Sequence, residues 1–183
     1  MIRAIYSFIF FKVIKWKIFG DFDTSVKKYI VIVAPHTSNW DFVIGIMVRS
    51  ILKITDVKFI GKSQLFKWPY GFIFRAMGGH PVDRSKHNNL VEAVVEIFNA
   101  KEKFAVTIAP EGTRKKVDKF KTGFYHIAVK AKIPIYKVGF DFSKKLIVID
   151  KPFSPTGNMD KDMTLIMDFY RSIRGKHPEL GLS

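Results

Sequence analysis

Residues 29–52 read YIVIVAPHTSNWDFVIGIMVRSIL and contain, in order, an apolar run, a polar loop and a helical pattern. Residues 29–34 are rich in Val and Ile and are followed by a proline, which is typical of a buried strand. Residues 40–52 carry apolar side chains at helical spacing, and the loop before them offers three preferred N-cap residues, Thr37, Ser38 and Asn39. The stretch therefore predicts a strand, a turn and a helix, which is the repeating unit of a parallel sheet.

The same alternation continues along the chain. Short apolar runs predict further strands at 57–60, 80–82, 104–109, 133–142 and 146–149. Helical spacing predicts helices at 65–77, 88–98, 123–130 and 161–174. This order predicts a single-domain α/β sandwich with a mostly parallel central sheet flanked by helices. Because ligands gather at the carboxyl ends of such strands, functional residues are expected in the loops that follow them.

The loop after the first of these strands holds His36 and Asp41, a pair suited to proton transfer. A histidine takes up a proton near neutral pH, and a carboxylate on its other ring nitrogen fixes the tautomer and stabilises the imidazolium. The two side chains can meet only if His36 lies in the turn and Asp41 in the first turn of the helix. The alternative is a capping box formed by Ser38 and Asp41, which leaves His36 without a task. Spacing alone leaves both interpretations open.

A second loop, at 109–114, reads APEGTR and has features of an anion site. Gly112 lets the backbone approach a ligand closely, Thr113 offers a hydroxyl, and Arg114 carries a forked guanidinium suited to phosphate. The alternative is a solvated turn in which Glu111 pairs with Arg114. The loop alone is weak evidence for a binding site.

A third loop, at 78–84, reads GGHPVDR and places Arg84 beside a short apolar strand. Either direct ligand contact or an internal ion pair of Arg84 with Asp83 or Glu111 explains this arginine. The remaining histidines show no metal-ligand spacing, and no Gly-rich nucleotide loop is present. We therefore expect neither a metal nor a nucleotide cofactor.

Composition narrows the choice of partners. Lys and Arg total 31 against 16 acidic residues, for a net charge of +15, which favours a polyanionic partner such as nucleic acid, anionic lipid or an acidic carrier protein. The absence of cysteine excludes disulfides, thiolate nucleophiles and cysteine-based metal sites. Aromatic residues make up 15% of the chain, which indicates apolar surface outside the core.

The N-terminal residues combine apolar and basic side chains. The uncharged run at 4–11 is shorter than a membrane span needs, and Lys12, Lys15 and Lys17 follow it without the cleavage site of a signal peptide. Such a composition favours a helix that lies in the headgroup layer with its lysines near the phosphates. The alternative is a helix packed on the core of the domain itself.

Taken in order, the loops resemble the motifs of the glycerolipid acyltransferase family, whose best-known members acylate 1-acyl-glycerol-3-phosphate. The resemblance rests on four blocks: HTSNWD at 36–41, GHPVDR at 79–84, PEGTR at 110–114 and IPI at 133–135. One block is weak evidence, whereas four in sequence with suitable spacing are a strong signal. With the composition of the N-terminal residues, this predicts an amphipathic membrane-associating segment at 1–22 and the acyltransferase domain at 23–183.

The resemblance also implies roles for individual residues. His36 corresponds to the general base that activates the acceptor hydroxyl for attack on a thioester, and Asp41 to the residue that orients it. The residues that correspond to contacts with the acceptor are Lys62, Arg84, Glu111, Gly112, Thr113 and Arg114. Ala109 stands where the family usually has phenylalanine, and Lys137 stands where it often has proline. These departures concern the substrate pockets and not the chemistry.

The implied reaction transfers a fatty acyl group from acyl-CoA or acyl-carrier protein to a lysolipid, with lysophosphatidic acid as the default acceptor and an amino-acid lysolipid as the alternative. We expect a peripheral or monotopic protein on the anionic, cytoplasmic face of a membrane. Two rival hypotheses are a nucleic-acid-binding module and a non-catalytic lipid-surface protein. No recognisable nucleic-acid motif supports the first, and the intact His36 and Asp41 count against the second.

Overall fold

The computed structural model describes residues 2–82 and 90–181, apart from the side chains of Lys62, Leu65 and Val82. The described helices are α1 (Ile2–Phe8), α2 (Trp40–Ile51), α3 (Gly71–Ala76), α4 (Leu90–Ala100), α5 (Gly123–Ala131) and α6 (Met159–Arg171), with a π-helical turn at Ile9–Val13 and 3-10 turns at Ser63–Phe66 and Pro178–Leu180. The described strands are β1 (Lys17–Phe19), β2 (Lys28–Ala34), β3 (Val57–Lys62), β4 (Gly79–Val82), β5 (Phe104–Ile108), β6 (Ile135–Asp141) and β7 (Leu146–Ile149).

Within these residues, seven strands form one sheet in the order β1-β7-β6-β2-β5-β3-β4. The pair β6 and β7 is antiparallel, and the other neighbouring strands run parallel. Because β2 and β5 are parallel neighbours, the loops that follow them leave the same edge of the sheet. The predicted α/β fold with a mostly parallel sheet is confirmed.

Each face of the sheet is covered by its own apolar core. One core joins β2 and β6 to α4, α5 and α6 and includes Ile30, Ile32 and Phe124. The other lies beneath α2 and the N-terminal helix and includes Val31 and Phe140. Burial on both faces explains why the central strands are continuous apolar runs rather than alternating ones.

The predicted helix at 65–77 is wrong as a single element. A 3-10 turn ends at Phe66, a tight turn follows, and α3 begins only at Gly71. Pro69 lies between them, and a proline inside a helix lacks the N–H donor and clashes with the preceding turn. The other predicted helices and strands are present, with ends that differ by a few residues; the predicted helix start at 88 lies outside the described residues.

The N-terminal segment combines the two alternatives that its sequence left open. Phe10 and Trp16 are buried in the core under α2, and β1 extends the sheet by pairing with β7. Other apolar side chains of the segment remain exposed: Ile2, Ile5, Phe8, Phe11 and Val13. Phe10, Trp16 and Phe22 are therefore packed in the same apolar core as α2. The division into a segment at 1–22 and a domain at 23–183 stays a prediction. No described helix is long and apolar enough to cross a bilayer.

Candidate active site

The side chains of His36 and Asp41 meet at the start of α2. The Nδ1 atom of His36 lies 3.0 Å from the Oδ2 atom of Asp41. The histidine lies in the turn after β2 and the aspartate in the first turn of α2, which is the arrangement that brings their side chains together. Because Nδ1 faces the carboxylate, the tautomer with its proton on Nδ1 leaves Nε2 as the nitrogen that can accept a proton.

Asp41 also forms one half of the predicted capping box, while its own N–H donates to the backbone carbonyl of Ser38 and not to the hydroxyl. Its Oδ2 atom accepts a hydrogen bond from the backbone N–H of Ser38 at 2.9 Å, and the N–H of Trp40 donates to the hydroxyl of Ser38 at 3.2 Å. The two interpretations of the His36–Asp41 spacing are thus compatible, because one carboxylate oxygen serves the loop and the imidazole together. The backbone N–H of Ser38 thus positions the same carboxylate that faces the imidazole of His36.

Glu111 contacts the backbone of His36. Both carboxylate oxygens accept from the His36 N–H, at 3.0 and 2.9 Å, and the side chain is only 3% exposed. Burial raises the pKa of Glu111 from 4.5 to about 7, while the hydrogen bond from His36 acts in the opposite direction. The geometry gives Glu111 a task in holding the His36 loop, and its predicted contact with the acceptor stays a prediction.

The rest of the PEGTR loop follows a tight path. Gly112 has a φ of +68°, a conformation that favours glycine, and a Cβ there would lie 2.9 Å from Nζ of Lys121. The hydroxyl of Thr113 accepts from the N–H of Lys115 at 3.2 Å. Arg114 is exposed. The loop therefore presents the Thr113 hydroxyl and the Arg114 guanidinium, with Lys115 and Lys121 after it, at the edge of the sheet where His36 lies.

Two cavities meet at His36. The first, of about 270 Å³, lies under α2 and is mainly apolar, with walls that include Val31, Phe42, Ile46, Phe59, Met77 and Phe140. The second, of about 860 Å³, lies beside α4 and α5 and is lined by Thr113, Lys115 and Lys121 as well as apolar side chains. His36 and Arg114 line both cavities. The imidazole therefore lies between an apolar chamber and a cationic one.

Gly45 and Arg49 also line the apolar cavity and were not anticipated from the sequence. The guanidinium of Arg49 donates from Nε to the carbonyl of Val57 at 2.8 Å and from Nη2 to the carbonyl of Thr55. Burial lowers the pKa of Arg49. Asp41, Gly45 and Arg49 follow at intervals of four along α2, so helical spacing from Asp41 could have found them.

Two predicted site residues are not placed in full. Lys62 ends β3, next to β5 in the sheet, but its side chain is outside what the structure describes. Arg84 and its alternative partner Asp83 fall in residues 83–89, which are also outside the described part. Among the described side chains, no group of three His, Asp or Glu residues could hold a metal ion. Acceptor contacts by Lys62 and Arg84 stay predictions.

The C-terminal segment contacts the loop that holds His36. The N–H of His177 donates to the hydroxyl of Thr37 at 3.2 Å, and Nζ of Lys176 lies 5.0 Å from the ring centre of Trp40. These contacts join residues far apart in the chain. They hold the loop between β2 and α2 in addition to Glu111, and nothing in the sequence pattern pointed to them.

Curated relatives of the chain are 1-acyl-sn-glycerol-3-phosphate acyltransferases. The chain is 33% identical to one from Cocos nucifera over 82 residues, covering 42% of the chain and 27% of the relative. It is 30% identical to one from Salmonella typhimurium over 115 residues (59% and 45%), and 31% identical to one from Saccharomyces cerevisiae over 131 residues (67% and 41%). The chain thus spans less than half the length of these relatives.

A solved structure shares the fold. The crystal structure of the 1-acyl-sn-glycerophosphate acyltransferase of Thermotoga maritima superimposes with a TM-score of 0.61 at 20% identity, covering 92% of this chain and 74% of that one. The family model described as Acyltransferase matches residues 18–141, which contain β2 to β6 and all four sequence blocks. Since that match covers more than half of the chain, the protein belongs to the glycerolipid acyltransferase family.

Proposed function

We propose that the chain is an O-acyltransferase of phospholipid biosynthesis, which moves a fatty acyl group from acyl-CoA or acyl-carrier protein to the free hydroxyl of 1-acyl-glycerol-3-phosphate. The observation that carries the proposal is the His36–Asp41 pair at 3.0 Å where the apolar and the cationic cavity meet. The names of the curated relatives support the acceptor.

The geometry supports a mechanism in which the substrate supplies the nucleophile. Nε2 of His36 takes the proton from the acceptor hydroxyl as its oxygen attacks the thioester carbonyl. Asp41 stabilises the imidazolium that forms. Collapse of the tetrahedral intermediate breaks the carbon–sulfur bond, and the imidazolium returns its proton to the leaving thiolate. Ester and thiol are the products, and His36 is neutral again.

The two cavities suit the two ends of such substrates. The apolar cavity under α2 suits an acyl chain, since burying each methylene contributes about 0.8 kcal/mol. The cationic cavity, with Thr113, Lys115 and Lys121, suits a phosphate. Arg114 lines both and lies near the point where the hydroxyl and the thioester must meet. Holding the reactants there lowers the entropic cost of bringing them together.

We also propose that the protein works as a peripheral or monotopic protein at the cytoplasmic face of an anionic membrane. The supporting observation is the exposed apolar side of the N-terminal helix, which includes Ile5, Phe8 and Val13. Arg3 and Lys12 on the same segment carry charges that attract anionic headgroups.

An acyl-transfer assay in mixed micelles tests the reaction. Purified protein receives labelled acyl-CoA or acyl-carrier protein and a panel of lysolipids that includes lysophosphatidic acid and an amino-acid lysolipid. We expect His36→Ala to lower kcat by about 10²- to 10⁴-fold, since that is the usual contribution of a general base. The matched control is His126→Ala, because His126 is an exposed histidine on α5 outside both cavities.

Product from lysophosphatidic acid that disappears in His36→Ala but not in His126→Ala supports the proposal. Product from the amino-acid lysolipid alone would support the proposed reaction but show that lysophosphatidic acid is not the acceptor. An absence of product with both donors and every acceptor, or full activity in His36→Ala, contradicts the proposed function.

A further inference from the structure

Residues 67–73, KWPYGFI, form a surface that we call the aromatic loop. The exposed fraction of the residue is 92% for Trp68, 66% for Tyr70 and 69% for Phe72, and Ile73 beside them is also exposed. Soluble proteins rarely leave several large apolar side chains adjacent on the surface unless these side chains contact a partner. The aromatic loop is separate from the His36 site, and the proposed chemistry does not use it.

The aromatic loop is held by a packed base. Phe66 is buried, and the centre of its ring lies 6.2 Å from that of Phe74. The guanidinium of Arg75 lies over the Phe66 ring, 5.7 Å from its centre. The N–H of Gly71 donates to the carbonyl of Lys67 at 2.8 Å, which closes the turn. The exposed rings are therefore presented by an ordered turn, so less conformational freedom is lost when they bind.

The aromatic loop lies on the α2 side of the sheet. A Cβ at Gly79 would meet both the Phe66 ring and the Phe59 ring. The ring of Phe59 packs against that of Phe42 on α2, with 5.3 Å between the ring centres. The N-terminal helix lies on that side too, since Nε of Arg3 donates to the carbonyl of Ile51 at the end of α2. The exposed residues of α1 and those of the aromatic loop thus flank α2 and the apolar cavity beneath it.

Charge and residue type indicate the partner. The aromatic loop and α3 carry two exposed basic side chains, Lys67 and Arg75, and residues 57–82 contain no acidic residue. Trp and Tyr favour the interface of a bilayer, where a ring meets the acyl region and its polar group meets water. Basic side chains beside such rings attract anionic headgroups. Together these features fit an anionic lipid surface.

We propose that the aromatic loop is a second membrane contact, which inserts Trp68, Tyr70 and Phe72 into the headgroup layer of an anionic bilayer. With α1 it holds the α2 side of the protein against the lipid. A chain that leaves the bilayer then enters the apolar cavity, whose wall includes Met77 just beyond α3, without crossing bulk water. The inference rests on the proposed function in taking a lipid as the substrate and α1 as the first membrane contact.

Vesicle co-sedimentation of the full chain tests this contact. The variant Trp68→Ser, Tyr70→Ser, Phe72→Ser is compared with the wild type on vesicles of phosphatidylcholine with phosphatidylglycerol. The matched control, Val129→Ser, Met159→Ser, Leu165→Ser, removes three exposed apolar side chains from α5 and α6. We expect partitioning to fall by about tenfold or more in the first variant and to stay unchanged in the control.

A second measurement does not depend on the triple variant folding. With Trp16→Phe and Trp40→Phe, Trp68 is the remaining tryptophan, and we expect lipids brominated near the headgroup to quench its fluorescence. Unchanged partitioning of the folded triple variant, or no quenching of Trp68, overturns the proposal. So does a dimer of the wild type that dissociates in the triple variant while vesicle binding persists.

Acyl transfer separates this inference from the proposed function. In detergent micelles, where no bilayer has to be reached, we expect the aromatic-loop variant to keep wild-type turnover while losing vesicle binding. Quenching of Trp68 in a protein without acyl transfer would support the membrane contact and contradict the proposed function.

Discussion

Two buried carboxylates hold His36, and each holds a different part of it. Asp41 contacts the ring at Nδ1, while Glu111 contacts the backbone N–H. The first contact was predictable, because a turn between strand and helix brings residues five apart together. The second joins residues 75 positions apart and depends on β2 and β5 being neighbours. Local spacing carries no information about such a contact.

The substitution Glu111→Gln tests how this carboxylate affects stability. The pKa of Glu111 is raised to about 7 in the folded protein, so the folded state binds its proton more tightly than the unfolded state does. The free energy of unfolding that this proton binding contributes is fully present below pH 4.5 and is lost as the pH rises through about 7. We expect urea unfolding to show a loss of about 2 to 3 kcal/mol over this range that is absent from the variant.

The control for this measurement is Glu102→Gln, which changes an exposed glutamate in the loop before β5. Its stability should depend on pH as in the wild type. An identical pH dependence in Glu111→Gln and the wild type would show that burial does not shift the ionisation of Glu111.

Among the elements, the N-terminal helix has two sides with different tasks. Phe10 is fully buried under α2 near the ring of Trp16, with 6.2 Å between ring centres, whereas Phe8 is exposed. The sequence indicated both apolar and basic character for this segment. It did not show which aromatic residues face inward, because β1 and the π-helical turn set the helix orientation.

Phe8→Ala and Phe10→Ala form a matched pair that separates these tasks. We expect Phe10→Ala to lower the free energy of unfolding by about 3–5 kcal/mol, the usual cost of removing a buried phenylalanine. Phe8→Ala should change it by less than about 0.5 kcal/mol and weaken vesicle binding instead. Denaturant unfolding and co-sedimentation of both variants are the measurements.

The reverse pattern would contradict this division, since it would place the membrane contact on the Phe10 side.

Deleting residues 1–19 is an unsuitable test of membrane attachment. The deletion would remove β1 and the buried side chains of Phe10 and Trp16 together with the exposed ones, so lost binding and lost folding could not be told apart.

Across the whole molecule, two cavities share His36 in their walls. The apolar one is roofed by α2, where Gly45 leaves space; a Cβ there would lie 3.7 Å from the ring of Phe140. The cationic one is bounded by α4 and α5. The residues of each cavity come from distant parts of the polypeptide. We therefore expect the acyl-chain length preferred in the proposed reaction to depend on how these residues pack.

Gly45→Leu should shift the preferred acyl chain to shorter lengths. The added side chain occupies part of the apolar cavity, so a long chain no longer fits, while a short one avoids the clash. Competition among acyl donors of different length, measured as kcat/KM ratios, checks this. An unchanged ratio would place the acyl chain elsewhere.

Val43→Leu is the matched control, because it adds bulk to the exposed side of the same helix. It should leave the preference for chain length unchanged. A shift of equal size in both variants would indicate an effect on α2 as a whole rather than on the cavity.

The sequence by itself determined the alternation of strands and helices, the position of His36 and Asp41 after β2, and the family to which the four blocks point. These features depend on short-range patterns: apolar periodicity, turn residues and spacing within one loop. Tertiary structure decided the strand order, the contact of Glu111 with His36, the two cavities and the outward display of the aromatic loop. Each of these depends on contacts between distant residues, whose geometry is fixed only when the sheet is assembled and both of its faces are covered.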